Sequence, residues 1–213
     1  TFSLSNNYTS EGAILSISDG SIGWQHHTSL LQNISLHMNA KDRIALCGDN
    51  GCGKSTLIKA ILNNSEVIKT GHWMMPKPMN IGYLDQHYAT LDPEKTVLDT
   101  LSLLVPYWPF IKVRKHLNDF LFRKNEEINV KTSQLSGGEK VRLCLAQIAA
   151  CPPQLLILDE ITNNLDLETK KHVIQVLQDY PGAMLLICHE DDFLNQLEIT
   201  RCYHILNNSL IQN

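Results

Sequence analysis

No stretch of this 213-residue chain stays apolar for long enough to cross a bilayer. A spanning helix needs about 20 consecutive apolar residues, and runs such as "LSLLV", "LLIL" and "MLLIC" fall far short of that. No direct membrane insertion is expected. Nor is there a basic excess: 18 Lys and Arg stand against 22 Asp and Glu, a formal net charge of −4 that excludes a broad positive field for nucleic acid. Basic residues gather only in "KVRKHLNDFLFRK", where Lys112, Arg114, Lys115, Arg123 and Lys124 read as the solvated face of a helix. The opening "TFSLSNNYTSEGAIL" has neither the basic segment nor the apolar core of a secretory leader, and its first residue, Thr1, reads as a trimmed start or a cut from a longer chain. The six cysteines fall in no CxxC or zinc-ligand spacing, and several sit in apolar strand-like segments, so they read as small hydrophobes in a reducing, cytoplasmic setting. Internal repeats and low-complexity segments are absent as well.

What is present is the balance of a globular protein, 43% hydrophobic and 19% charged, at a length that suits one generous domain with a small appended lobe. The opening third alternates apolar and polar residues in "AILSIS" and "NISLHM", where Ile34, Leu36 and Met38 share a face, which predicts antiparallel sheet. "RIALC", "GDNGCG" and "KSTLIKAIL" then read as strand, glycine loop and helix. "HWMMPKPMN" reads as a loop leading to a brief strand, "IGYLDQ". A helical lobe follows, "TVLDTLSLL" and "FIKVRKHLNDFLF" interrupted by "PYWP", within a subdomain at about 90–135. From Gln134 helices alternate with the strands "LLILD" and "AMLLIC" before a closing strand pair, a pattern of parallel strands covered on both faces and hence an α/β fold.

"GDNGCGKST" satisfies G-x-x-x-x-G-K-[ST] through Gly48, Gly53, Lys54 and Ser55, with Asp49, Asn50, Gly51 and Cys52 filling the loop and Thr56 following it. In a strand-to-helix context the backbone N–H groups curl around a β-phosphate, Lys54 supplies a point charge to the β- and γ-oxygens, and the Ser55 hydroxyl can ligate Mg²⁺. Without that context the same letters describe a turn with a surface lysine. "LLILDE" ends an apolar strand in Asp159 and Glu160: Asp159 suits the metal through water and Glu160 suits activation of an attacking water, although two exposed carboxylates capping a strand is the plainer alternative. "AMLLIC" delivers His189 to the same sheet edge, either as an ordinary polar histidine or as a sensor of the γ-phosphate. Gln86 ends "IGYLDQ", where a neutral amide can reach the metal or its water. "LSGGEK" carries Ser136 and Glu139 at the spacing of a capping box, yet Gly137 and Gly138 cost helix propensity in the first turn, which makes sense if a ligand approaches the backbone there. A second phosphate-seeking helix start is then most simply supplied by another copy of the domain.

Taken in order, "GDNGCGKST", "YLDQ", "LSGGEK", "LLILDE", "NNLD" and "ICHEDDFL" resemble the nucleotide-binding domain of the ATP-binding cassette (ABC) family over nearly the whole chain, about Ala13 to Leu210. The resemblance implies a P-loop NTPase fold with an ABC-type core, an N-terminal antiparallel β subdomain and a small helical subdomain. It implies hydrolysis of ATP with Mg²⁺ between two cassettes paired head to tail, the phosphate loop of one facing Ser136, Gly137, Gly138 and Glu139 of the other. It further implies that Trp24 stacks on adenine, where the residue alone also reads as a core tryptophan, and that Asp166 communicates between cassettes. "IGYLDQHY", "VRKHLNDFLF", "EKVRLCLAQIAACPPQLLILDE", "TNNLDLET" and "HEDDFL" resemble the F-type branch, soluble two-cassette proteins that act on translation, which makes a second cassette and the ribosome the expected partners. A membrane permease is the partner under the alternative, a transporter subunit. The chain departs from that branch at Ile161 (usually proline), Asn164 (histidine), Cys188 (serine) and Asp191 (arginine), so a less rigid loop after Glu160 and altered turnover are expected.

Overall fold

The computed structural model describes residues 12–24, 29–162, 165–188 and 190–212. In chain order they form β1 (Ala13–Trp24), β2 (Leu31–Asn39), β3 (Arg43–Cys47), α1 (Lys54–Ile61), β4 (Val67–Met74), β5 (Ile81–Asp85), α2 (Val97–Leu104), α3 (Phe110–Asp119), α4 (Asn125–Ile128), α5 (Gly137–Ala150), β6 (Leu155–Asp159), α6 (Leu167–Gln178), β7 (Ala183–Ile187), α7 (Asp191–Gln196), β8 (Arg201–Leu206) and β9 (Ser209–Gln212). They divide into two compact units: the first holds 12–83, Pro153–Glu160 and Gly182 onward, the second Leu84–Pro152 and Ile161–Pro181.

The first unit is built on a sheet of order β4-β1-β2-β9-β8-β3-β7-β6-β5. Its antiparallel end follows from the alternation in β1 and β2, which buries Leu15, Ile17, Ile34, Leu36 and Met38 on one side and pairs Ile17 with Leu36. The expected loop at His72–Met74 is instead the end of β4. Those residues pair with Ser18, Ile17 and Ser16, and edge pairing to β1 outweighs the weak period of a Met-rich segment. The other end is parallel, β8 and β7 flanking β3 and β6 following β7. Every residue of β7 is buried, as a strand covered on both faces requires. The closing pair β8–β9 is antiparallel, turned by Asn207 and Asn208 at φ 48° and 60°, the left-handed pair a two-residue hairpin needs.

The second unit is helical. Thr96 caps α2, its hydroxyl accepting from the Asp99 N–H at 3.0 Å, and Pro106 and Pro109 separate α2 from α3. Val97 and Leu101 of α2, Val113 and Leu117 of α3, and Val141 and Leu145 of α5 are buried. In the basic cluster Lys112 and Lys115 are exposed as expected, but Arg114 is not a solvated charge: its guanidinium donates to the Phe122 carbonyl at 2.7 Å and to that of Arg123, closing the turn after α3.

His116 and His172 join an aromatic row in this unit. His116 lies 5.3 Å from Trp108 and 5.1 Å from Phe120, and Phe120 lies 5.7 Å from His172, all between ring centroids. Burial pushes both imidazoles below the usual histidine value, and the 2.8 Å approach of His116 Nε2 to the Ala146 carbonyl makes that nitrogen the donor of a neutral ring. Because the folded state resists protonation, the unfolded chain binds more protons once the pH drops below about 6.5, and the stability present above that value is lost below it. The urea midpoint is therefore expected to be flat between about pH 7 and 8 and to fall below about pH 6.5, less steeply in His116→Gln. Equal slopes in the two proteins would show that His116 does not carry the effect.

Candidate functional site

In the first unit, β3 ends at Cys47 and the chain turns through Gly48–Gly53 into α1. Gly53 sits at the cap position with φ 115°, a conformation costly to any side chain, and offers no cap of its own. The first turn of α1 holds no acid. Its opening N–H groups therefore present an uncompensated positive end. Lys54 adds to that charge: it is only 6% exposed, and its ammonium donates to the Gly48 carbonyl at 2.6 Å and the Asp49 carbonyl at 3.0 Å, folding the side chain across the loop. The Cys52 N–H donates to the Asp49 carbonyl at 3.3 Å, closing the turn, while Asp49, Asn50, Gly51 and Ser55 face solvent and Thr56 is buried. A buried cation at a helix N-terminus is electrostatically costly, and an anion over the loop is what offsets it.

The same unit carries the acidic strand end. Leu155 to Leu158 are buried, and Asp159 and Glu160 emerge half-exposed. The Tyr83 hydroxyl of β5 donates to Asp159 at 3.3 Å. Glu160 holds a left-handed backbone, φ 53°, with its N–H donating to the Ile187 carbonyl at 2.9 Å. For a glutamate that conformation costs on the order of 1 kcal/mol, and strain of this kind is concentrated where a side chain must be aimed. Trp24, at the end of β1, packs half-buried against the core, with the Lys59 ammonium 5.2 Å from its ring centroid. His189 and Asn164 lie outside the described residues.

The second unit holds the other predicted residues. Gln86 follows β5 exposed, its amide 3.3 Å from His87 Nε2. The capping box is present in full: Glu139 N–H donates to the Ser136 hydroxyl at 3.3 Å, and the Glu139 carboxylate accepts from the Ser136 N–H at 2.8 Å and its hydroxyl at 2.7 Å. The two glycines differ. A Cβ on Gly138 would lie 3.2 Å from the Thr169 hydroxyl and 3.5 Å from an Asp166 carboxylate oxygen, so internal packing accounts for that glycine. A Cβ on Gly137 would meet nothing closer than the Tyr88 hydroxyl at 3.9 Å. Packing among the described residues therefore leaves Gly137 unexplained, and a bare backbone facing outward fits a ligand's close approach. Asp166 caps α6, accepting from the Thr169 N–H at 2.9 Å and hydroxyl at 2.7 Å; those bonds, the backbone one first, hold its carboxyl below the usual range.

Two features escaped the sequence reading. Tyr83 is one: its partner, Asp159, is 76 residues away, and the only hint is the aromatic inside "IGYLDQ". The other is the trio Cys47, Cys202 and His204, whose ligand atoms lie within 4.8 Å of one another.

A family model described as "ABC transporter" matches residues 31–163. The chain is 39% identical over 179 residues to ATP-binding protein Uup of Haemophilus influenzae, which is 82% of this chain and 27% of that protein. It is 38% identical over 179 residues to Escherichia coli Uup, 82% of this chain and 28% of that protein. It is 32% identical over 195 residues to ABC transporter F family member 5 of Arabidopsis thaliana, 89% of this chain and 27% of that protein. The chain thus spans about a quarter of the length of these relatives. Among solved structures, a bacterial Atm1-family ABC exporter with ATP bound superposes with a TM-score of 0.76 over 93% of this chain and 38% of its own, at 17% identity, a likeness of fold alone.

Proposed function

The chain belongs to the ATP-binding cassette family, with the P-loop α/β fold of its ATPase domains, and from that premise we propose that residues 1–213 form one F-type cassette with its helical subdomain at about 90–135. In this reading the cassette closes on Mg-ATP with a second cassette, hydrolyses it, reopens, and acts in the cytoplasm on the ribosome. The observation that carries the nucleotide part is the buried Lys54 folded over an acid-free helix start, in the same unit as Asp159 and Glu160. Gly137, bare and outward-facing, supports the second cassette. Likeness to ABC transporter F family member 5 supports the F-type branch.

The residues fit the implied ligands. Loop N–H groups, Lys54 and Thr56 bind phosphate, and Trp24 stacks on adenine. Ser55 and Asp159 would hold Mg²⁺, which when bound neutralises phosphate charge; Tyr83 positions Asp159. Glu160 takes a proton from water aligned with the γ-phosphate, and His189 orients that water. Ser136, Gly137, Gly138 and Glu139 serve the ATP of the opposite cassette, while Asp166, held ionised by its cap, reports across the pair.

Another reading, the ATPase subunit of a transporter, is favoured by an apolar surface around the α2–α3 connection, where Leu103 is 62%, Tyr107 96%, Phe110 61% and Ile111 80% exposed. Trp108 is covered by Lys112, whose ammonium lies 3.9 Å from its ring centroid, and contributes less to that surface than its position suggests. Among the described residues no helix is long and apolar enough to cross a membrane. Fractionation of native-host lysate with a tagged Glu160→Gln chain and Mg-ATP separates the two: co-sedimentation with ribosomes is expected, and co-purification with a membrane permease, or migration away from ribosomes, would overturn the F-type assignment.

A further inference from the structure

The phosphate loop is rooted on a cluster that the nucleotide chemistry does not use. Cys47, the last residue of β3, stands opposite His204 of β8, and Cys202 stands opposite Ala45 two residues earlier. Alternation along a strand puts Cys202 and His204 on the same sheet face, and the pairing brings Cys47 onto it. The two sulfurs are 3.1 Å apart, and Cys202 Sγ is 3.4 Å from His204 Nε2. All three residues are half-buried.

We propose that Cys47, Cys202 and His204 form a binding site for a thiophilic cation, Zn²⁺ in the first instance, at the root of the phosphate loop. Two thiolates and an imidazole suit zinc and reject the hard, oxygen-seeking Mg²⁺ of a nucleotide site. Tetrahedral bonds of about 2.3 Å to sulfur and about 2.0 Å to nitrogen set ligand atoms about 3.5 to 3.8 Å apart. The Cys202–His204 spacing of 3.4 Å meets that as it stands, and the sulfurs need to part by about 0.7 Å, within the rotation of two cysteine side chains. Three protein ligands leave a fourth position for water or another donor. Binding displaces the two thiol protons to solvent and leaves a neutral Zn(S⁻)₂(N) group, which a half-buried site tolerates better than free thiolates. Burial, then the neighbouring Cys202, pushes the Cys47 thiol up to about 12, so the metal-free Cys47 stays protonated; the Asp191 carboxylate opposes and the Lys54 ammonium favours the thiolate.

The placement has a consequence for the loop. Cys47 is bonded to Gly48, and the carbonyl of Ile205, next to His204, lies 3.2 Å from where a Gly48 side chain would begin. A cation bridging β3 and β8 therefore fastens the first residue of the loop to its neighbouring strand. The site itself stands whether or not the ATP reading holds.

Nucleotide-free, fully reduced chain is titrated anaerobically with Co²⁺ and then with Zn²⁺ against a chelator. One equivalent is expected, with the visible bands of tetrahedral cobalt thiolate. X-ray absorption at the zinc edge is expected to give two sulfur neighbours at about 2.3 Å and one nitrogen at about 2.0 Å. Cys47→Ser, Cys202→Ser and His204→Ala should each weaken zinc at least as much as the ~10- to 100-fold that loss of a ligand's supporting partner costs, while Cys151→Ser, an exposed cysteine outside the cluster, leaves it unchanged. The absorption measurement on the native chain decides even if a variant fails to fold. Oxygen-only coordination, no stoichiometric uptake, or full affinity in folded Cys202→Ser would each overturn the proposal.

Discussion

Glu160→Gln is expected to keep Mg-ATP binding while lowering turnover by about 10²- to 10⁴-fold, the range a positioned general base supplies. The substitution changes the proton-accepting oxygen and little else. Gln has the same length, and the left-handed backbone at φ 53° and the N–H bond to the Ile187 carbonyl are made by main-chain atoms. That separation makes the result informative, because binding depends on the loop and Lys54, not on this carboxylate. Phosphate release and nucleotide titration on the same preparation check it. Hydrolysis at the native rate would remove Glu160 from the role of base.

Lys54→Ala acts on the other half of the cycle. The ammonium is buried and donates to two carbonyls of the loop it belongs to, so its removal deletes a phosphate contact and also unfastens Gly48 and Asp49. Hydrogen bonds to charged groups are worth about 1.5 to 3 kcal/mol, which predicts about 10- to 150-fold weaker ATP binding. Calorimetric titration reads the affinity, and a thermal melt confirms that the variant is folded. Binding at native strength in a folded variant would mean that the uncapped helix start alone holds the phosphates.

Local features were legible in the sequence. "SGGE" announces a capping box through a three-residue spacing, and both reciprocal bonds are present. The strand, loop and helix around "GDNGCGKST" follow from period and glycine content, and the apolar run of β7 from burial on both faces. Features set by pairing over long separations were not legible. β4 exists because β1 offers an edge to His72–Met74, a fact about β1 that the local text of β4 does not carry. Tyr83 meets Asp159 across 76 residues, and Cys47 meets Cys202 across 155. The cysteines were expected to be small hydrophobes, and Cys144, fully enclosed with its thiol pushed up to about 12 mainly by burial, is one. Cys47 and Cys202 differ only because the register of two parallel strands puts them with a histidine on one face. Asp166 had a local signal that was passed over: an aspartate directly before a helical period, with threonine three residues on, is a cap in its own right.

The central claim is that one ATP is held by two cassettes, and it is tested most directly by small-angle scattering of the Glu160→Gln chain with and without Mg-ATP, beside the same chain carrying Gly137→Arg. A nucleotide-dependent doubling of mass in the first protein, lost in the second although ATP still binds, is the predicted result. A particle that stays monomeric with Mg-ATP bound at saturation, or a dimer that forms equally well with arginine at position 137, would contradict it.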